Sequence, residues 1–255
     1  MIKLCNWLGL HILSMVETAG RVTQLLLQTL LQLRRMNIRH VIYQMAHLGV
    51  DTMPIVFMMI VFTGMVMVLQ AGPALGRAGA QSTMGGLVAL AMFRELAPVL
   101  SAVVLAGRVG AAITAEIGSM KVTEQIDALR VMATNPVAYL VVPRFVACIL
   151  MTPVVVTFAN FMGIAGGFLV ATMKVGVGPY TFIYSIETFT DLSDFTGGLI
   201  KSMFFGGIVA LVGCLKGMGA KEGAEGVGQA TTSSVVTSIV WIFVVNYFLS
   251  EWLFH

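Results

Sequence analysis

Two ionisable neighbours stand where charge is expensive. Arg94 and Glu95 are the only charged residues between positions 78 and 107. Lys201 is the only one between 195 and 215. A charge at the centre of an apolar span costs at least ~2.5–3.5 kcal/mol on insertion scales, so it normally faces a cavity or a partner. Adjacent helical residues project about 100° apart, so Arg94 and Glu95 need not pair with each other. Two readings stay open for Arg94, Glu95 and Lys201. They can line a polar cavity, or form a buried interhelical ion pair such as Glu95 with Lys201. A third place for Lys201 is the outer interface, where a lysine stem snorkels. Arg144, at the start of another apolar run, reads as an interfacial anchor.

No set of residues points to catalysis. GxSxG, HExxH and GxxxxGK[ST] are all missing. His11, His40, His47 and His255 lie outside the apolar runs, and Cys5, Cys148 and Cys214 are scattered among apolar neighbours. The expectation is no catalytic residue, no metal site and no cofactor bound by this chain. The glycine-rich stretch Gly217-Met-Gly-Ala-Lys-Glu-Gly223 reads as a flexible turn rather than a nucleotide loop. A formal charge of +3 is too small to argue for nucleic acid.

The other informative stretch runs from residue 115 to 132 and is followed by Asn135-Pro136. Thr123 can cap a short helix whose first turn holds Glu124 and Asp127, with Asn135-Pro136 as its stop. Ile126, Leu129 and Met132 would face one way, Glu124, Asp127 and Arg130 roughly the other. Glu116-Ile-Gly118-Ser119 predicts a break just before. Such a helix, held between two spans, is either a lever that moves both or a solvated loop helix without a partner.

The elements that must hold these residues are membrane spans. The hydrophobic set makes up 58% of the chain and charged residues only 11%. Soluble chains carry about 25% charged residues, so both a soluble domain and a disordered chain are excluded. Charge is absent from 52–76, 145–173 and 226–250. A crossing takes about 20 apolar residues. The run at 145–173 is long for one crossing and short for two. Basic residues decide it, because they gather on the cytoplasmic side. Arg34, Arg35 and Arg39, then Arg108, Lys121 and Arg130, then Lys216 and Lys221 share one side only if 138–174 crosses once. The predicted fold is all-α and membrane-integral, with five spans at about 50–72, 84–107, 138–174, 197–216 and 231–252. The N-terminus is then cytoplasmic and the C-terminus outside. Gly163 with Gly167, Gly206 with Ala210, and Gly213 with Gly217 would let helices approach closely. Tyr180, Phe182, Tyr184 and Phe189 place aromatics beside acids in the outer loop, a segment either anchored at the interface or set under a partner.

Residues 1–40 read as one or two interfacial amphipathic helices, distinct from the 41–255 body. Leu4, Trp7, Leu8, His11 and Met15 recur at helical spacing. Gln24, Gln28 and Gln32 form a polar line opposite Val22, Leu26, Leu30 and Leu33. A further span at 4–20 is the alternative.

Ala106-Gly-Arg-Val-Gly110, Ala115-Glu-Ile-Gly118 and Thr123-Glu-Gln-Ile-Asp-Ala-Leu129 together resemble the signature of the MlaE-type permeases. So do Phe93-Arg-Glu-Leu-Ala-Pro98 and Gly228-Gln-Ala-Thr-Thr232. The resemblance covers nearly the whole chain from about residue 40. It implies a permease subunit of a bacterial ABC transporter that moves phospholipids between inner and outer membranes and maintains outer-membrane lipid asymmetry. It implies a homodimer in the inner membrane enclosing a lipid cavity, a cytoplasmic ATPase that binds ATP and Mg, and a periplasmic MCE-domain ring. Some systems of this kind add a STAS-domain subunit. The segment 115–132 would be the coupling helix, with Glu116, Gly118, Met120, Glu124, Gln125, Asp127 and Leu129 at the ATPase contact. Arg94, Glu95 and Lys201 would line the lipid cavity. The rival reading is an ion- or proton-coupled secondary transporter using Arg94 and Glu95.

Overall fold

The computed structural model describes residues 17, 19–35 and 38–254. The stripe from Leu4 to Met15 and the alternative span at 4–20 lie wholly or mostly outside them. Every regular element among the described residues is helical. That follows from the solvent, because lipid offers no partner to a free backbone N–H or C=O.

Helix α1 covers residues 19–32 and runs into a single tight turn, Leu33–Arg35. Five long helices follow: α2 (Ile38–Arg77), α3 (Gln81–Val122), α5 (Val137–Val175), α7 (Leu192–Met218) and α8 (Gly223–Phe254). Each is long and apolar enough to cross a membrane. Two short helices sit in the connections, α4 (Gln125–Val131) and α6 (Pro179–Phe189). The expected five crossings are present, and 138–174 forms one helix, with Pro153 carried inside it. The spans outrun the predicted ones. At 1.5 Å per residue, the 42 residues of α3 extend about 63 Å, twice a ~30 Å hydrocarbon core. The surplus lies at the charged ends, which a search for charge-free runs discards.

Helices α5 and α7 form the middle of the bundle; α2 and α8 flank it and leave broad apolar faces uncovered. One core cluster joins α1, α3, α4, α5 and α7 around Ile113, Ile117, Phe145 and Cys214. A second joins α2, α3, α5 and α6 around Ile60, Val88, Met92 and Phe182. A third, around Ala106, Phe205 and Ile242, ties α8 to α3 and α7. The six predicted small residues serve packing within the chain: a Cβ on Gly163 would meet Ile60 and Met92, and one on Gly217 would meet Ile117.

Three expectations need correction here. On α1 the buried face is Leu25 and Thr29 with Val22 and Leu26 beside them, whereas Leu30 is exposed, a shift of the stripe by one position. The loop expected on the outer side is mostly the helix α6. It packs Phe182 and Ser185 against Gly85 and Gly86 of α3 and exposes Tyr180, Tyr184 and Phe189. The foreseen break at Glu116–Ser119 is absent, since helix continues from Ala111 to Val122. The chain breaks at Thr123-Glu124 instead, where Glu124 takes a left-handed φ of 59°.

Candidate functional site: a charged knot and a short helical arm

Proline begins the construction. Pro98 has no N–H to offer the carbonyl of Arg94 four residues earlier, and its ring crowds that carbonyl. The helix widens there into a π turn, Met92–Leu96, a distortion often found at functional sites. The orphaned carbonyl is satisfied from another helix, as Lys201 Nζ donates to Arg94 O at 2.9 Å. Lys201 reaches it because α7 crosses α3 at Gly198, where any Cβ would run into the carbonyl of Phe93. Gly198 and Lys201, one turn apart, thus address successive carbonyls of α3.

The charges then close on one another. Lys201 Nζ lies 2.6 Å from Glu95 Oε1 and donates to Ser250 Oγ at 2.7 Å. Asn246 Nδ2 donates to Glu95 Oε2 at 2.8 Å. Ser250 Oγ lies within donating distance of Glu95 Oε1, at 2.7 Å. Arg94 holds Asp194 Oδ1 at 2.6 Å, while Asp194 Oδ2 accepts from the backbone N–H of Asp191 in a capping box that opens α7. Phe254 caps the group, its ring centroid 4.7 Å from the Arg94 guanidinium carbon and 4.9 Å from Lys201 Nζ. Lys201 and Asp194 are buried, whereas the side chains of Arg94 and Glu95 keep 36% and 42% of their exposure. The knot is therefore a half-open polar face in an apolar bundle. The snorkelling place for Lys201 is ruled out by its complete burial. The Glu95–Lys201 ion pair exists, and the Glu95 side chain stays partly exposed beside it.

Sequence reasoning missed Asp194, Asn246, Ser250 and Phe254. Their partners are 49 to 160 residues away in the chain. Asp191 and Asp194 did carry a signal, an acidic pair at capping-box spacing before an apolar run.

At the opposite end of α3 stands an arm. Glu124 at φ 59° and Ala133 at φ 56° flank α4 with left-handed turns that disfavour L side chains. Thr123 does not cap α4, because its hydroxyl donates back to Ser119 O. Asp127 clamps the arm, accepting from Lys121 Nζ at 2.9 Å and Arg130 Nη1 at 3.0 Å. The Lys121 hydrogen bond is the main influence that holds its carboxyl below the usual carboxylate range, with the charges of Lys121 and Arg130 adding to it. Ile126 is buried in the first core cluster and Leu129 and Met120 pack against it.

Glu116, Glu124 and Gln125 are exposed, whereas Gly118 is buried against Ala220 and Val227. Met132 does not join the buried side; with Val131 it forms an exposed apolar tip. Arg144 is not an interfacial anchor: it is 4% exposed, donates to Leu140 O and lies 2.7 Å from Glu116 Oε1. Arg108 of the signature donates to the carbonyl of Asp51, tying α3 to α2. Among the described residues no three His, Cys, Asp or Glu side chains gather as metal ligands would.

The sequence model of the family described as "Permease MlaE" matches residues 41–252. The chain belongs to the MlaE permease family. A probable ABC transporter permease of Synechocystis is 46% identical over 221 residues, 87% of this chain and 84% of its own length. One of Rickettsia typhi is 35% identical over 256 residues, 100% of this chain and 99% of its own. The Arabidopsis thaliana chloroplastic protein TRIGALACTOSYLDIACYLGLYCEROL 1 is 34% identical over 249 residues, 98% of this chain and 69% of its own. Family membership makes the chain a multi-pass membrane transport component and accounts for the residue pattern from Phe93 to Leu129.

Proposed function

We propose that this permease is the membrane subunit of an ABC transporter that carries phospholipid between inner and outer membranes, as part of maintaining outer-membrane lipid asymmetry. The observation that carries the reading is the half-open charged knot inside an apolar bundle. A phospholipid needs an apolar wall for its tails and fixed charges of both signs for its headgroup. Arg94, Glu95 and Lys201 supply the charges, and the uncovered faces of α2 and α8 supply the wall. A relative named for a galactolipid supports a lipid cargo.

In this reading the chain is not an enzyme and binds no cofactor. ATP and Mg sit on a cytoplasmic ATPase subunit that grips α4, with Glu124, Gln125 and the tip at Val131 and Met132 outermost. Two copies pair in the inner membrane, N-termini cytoplasmic, beneath a periplasmic MCE-domain ring. A STAS-domain subunit joins on the cytoplasmic side in some systems of this kind. Helix α1 lies along the interface, which fits its exposed Leu27 and Leu31. Proton coupling through Arg94 and Glu95 loses support, because each already faces an opposite charge.

The test is native mass spectrometry of the tagged chain extracted in mild detergent. The expected result is two copies with two ATPase chains, a ring and bound phospholipid. Glu124→Lys with Asp127→Lys should release the ATPase while the permease still inserts; unchanged co-purification would sink the arm's role.

A further inference from the structure

The knot is not the only place where charge meets a cavity. At the end of the bundle away from α4, a cleft of about 500 Å³ opens where α2 and α5 end and α3 begins. Arg77, Lys174, Gln81, Leu69 and Val175 are among its walls. Outside the knot, Arg77 and Lys174 are the only lysine or arginine at this end among the described residues, and they meet at one cleft.

Three observations bear on its occupant. The first is charge without an answer. No carboxylate lines the cleft. Arg77 donates only its Nε, to the carbonyl of Pro73 at 3.3 Å, and Lys174 has no partner among the described residues. The helix ends do not cancel these charges. The C-termini of α2 and α5 bring about half a negative charge each, and the N-terminus of α3 about half a positive one. The second is access. Both cations are exposed. Gln81 folds over Gly76, its Nε2 2.9 Å from where a Cβ on that glycine would stand, and brings an amide to the same walls. The third is depth. The charge-free run of α2 ends at residue 76 and that of α5 at 173. Arg77 and Lys174 follow at once, so both stand at headgroup level, at the edge of the ~30 Å hydrocarbon core. Below Arg77 an exposed stripe of α2 runs inward through Leu69, Val66 and Phe62. At 1.5 Å per residue these lie about 12 to 22 Å deeper. Charge thus stands above apolar surface, in the order in which a lipid presents phosphate and tails.

A ligand that answers all three is an amphiphile whose head carries net negative charge. Two cations without a counter-charge favour it over a zwitterionic head, whose ammonium would meet like charge. We infer that the cleft where α2, α3 and α5 meet binds the headgroup of an anionic phospholipid from the leaflet at that end, with its tails along Leu69, Val66 and Phe62. The phosphate faces Arg77 and Lys174. Basic pockets between membrane helices hold such headgroups in other proteins. The tails use the α2 part of the apolar wall, but the head is held at the helix ends and not at the knot. The site is therefore separate from the charges assigned to the cargo.

The experiment titrates the purified full-length chain with dioctanoyl phosphatidylglycerol and, separately, with dioctanoyl phosphatidylcholine, and counts bound lipid by native mass spectrometry. The two lipids share their tails and differ in net charge. The readout is binding, so it stands whether or not the chain transports lipid. Wild type should bind one phosphatidylglycerol per chain about tenfold more tightly than phosphatidylcholine, equal to about 1.4 kcal/mol. Arg77→Gln with Lys174→Gln should weaken that phosphatidylglycerol about tenfold and leave phosphatidylcholine unchanged. Both positions are exposed, so the variant should unfold close to the wild-type midpoint. The knot is intact in it, so lipid held there remains. Equal phosphatidylglycerol affinity in wild type and variant overturns the inference, as does equal affinity of wild type for the two lipids. So does displacement of the lipid by millimolar inorganic phosphate, which would assign the cleft to a free anion.

Discussion

Lys201 holds together groups that cannot otherwise be satisfied, so its removal has a calculable cost. In Lys201→Met the carbonyl of Arg94 loses its donor, and Pro98 cannot replace it. A buried acceptor left unpaired costs about 1–3 kcal/mol. Glu95 loses its cation but keeps Asn246 and Ser250, and its side chain is 42% exposed. Water screens it, and we assign that loss at most about 1 kcal/mol. The variant should therefore unfold about 1–4 kcal/mol more easily, before any gain from the packing of methionine. Two further changes separate the parts. Glu95→Gln added to Lys201→Met should return up to about 1 kcal/mol by removing the unpaired charge. Pro98→Ala added to Lys201→Met should return about 1 kcal/mol by giving the helix its own N–H. Equilibrium unfolding in mixed micelles, followed by tryptophan fluorescence, measures all of these. If Pro98→Ala leaves the loss in Lys201→Met unchanged, the account of the orphaned carbonyl is wrong.

Gly198→Ala should separate α7 from α3 at Phe93 and destabilise by about 1–3 kcal/mol, read as a lowered unfolding midpoint. Ala133→Gly should relieve a left-handed residue and stabilise the arm by up to about 1 kcal/mol, read as slower proteolysis between α4 and α5. Asp127 has a depressed carboxyl, so its contribution to the arm is complete above about pH 4 and is lost as pH falls through its folded value. Amide exchange across residues 121–131, corrected for intrinsic rates, should thus be flat from neutral pH to about pH 5 and rise below about pH 4. Asp127→Asn should abolish that rise.

The five crossings were legible because lipid imposes a length and forbids charge, and both can be counted along a chain. That 138–174 crosses once was legible from the placement of basic residues rather than from its own composition. The knot was legible by half. Arg94, Glu95 and Lys201 announce themselves as charges out of place, and the Glu95–Lys201 pairing is one that cost alone suggests. Asn246 and Ser250 do not, since neutral polar residues are ordinary in a span. The break before α4 was misplaced because Gly118 looks like a helix breaker. It is in fact a contact residue, its missing side chain making room for Ala220 and Val227. Arg144 looked like an anchor because its burial depends on α2 and α3 folding beside it.

The bond from Lys201 to the main chain of α3 has a mechanical consequence. A side chain that grips another side chain can follow it through a rotamer change. One that grips a backbone carbonyl follows only if the helix itself moves. Gly198 adds a second stop one turn away, where the two backbones touch. Sliding α7 along α3 by one turn, about 5.4 Å, would empty the first contact and collide at the second. The two helices therefore behave as a splined shaft, free to tilt together and barred from slipping.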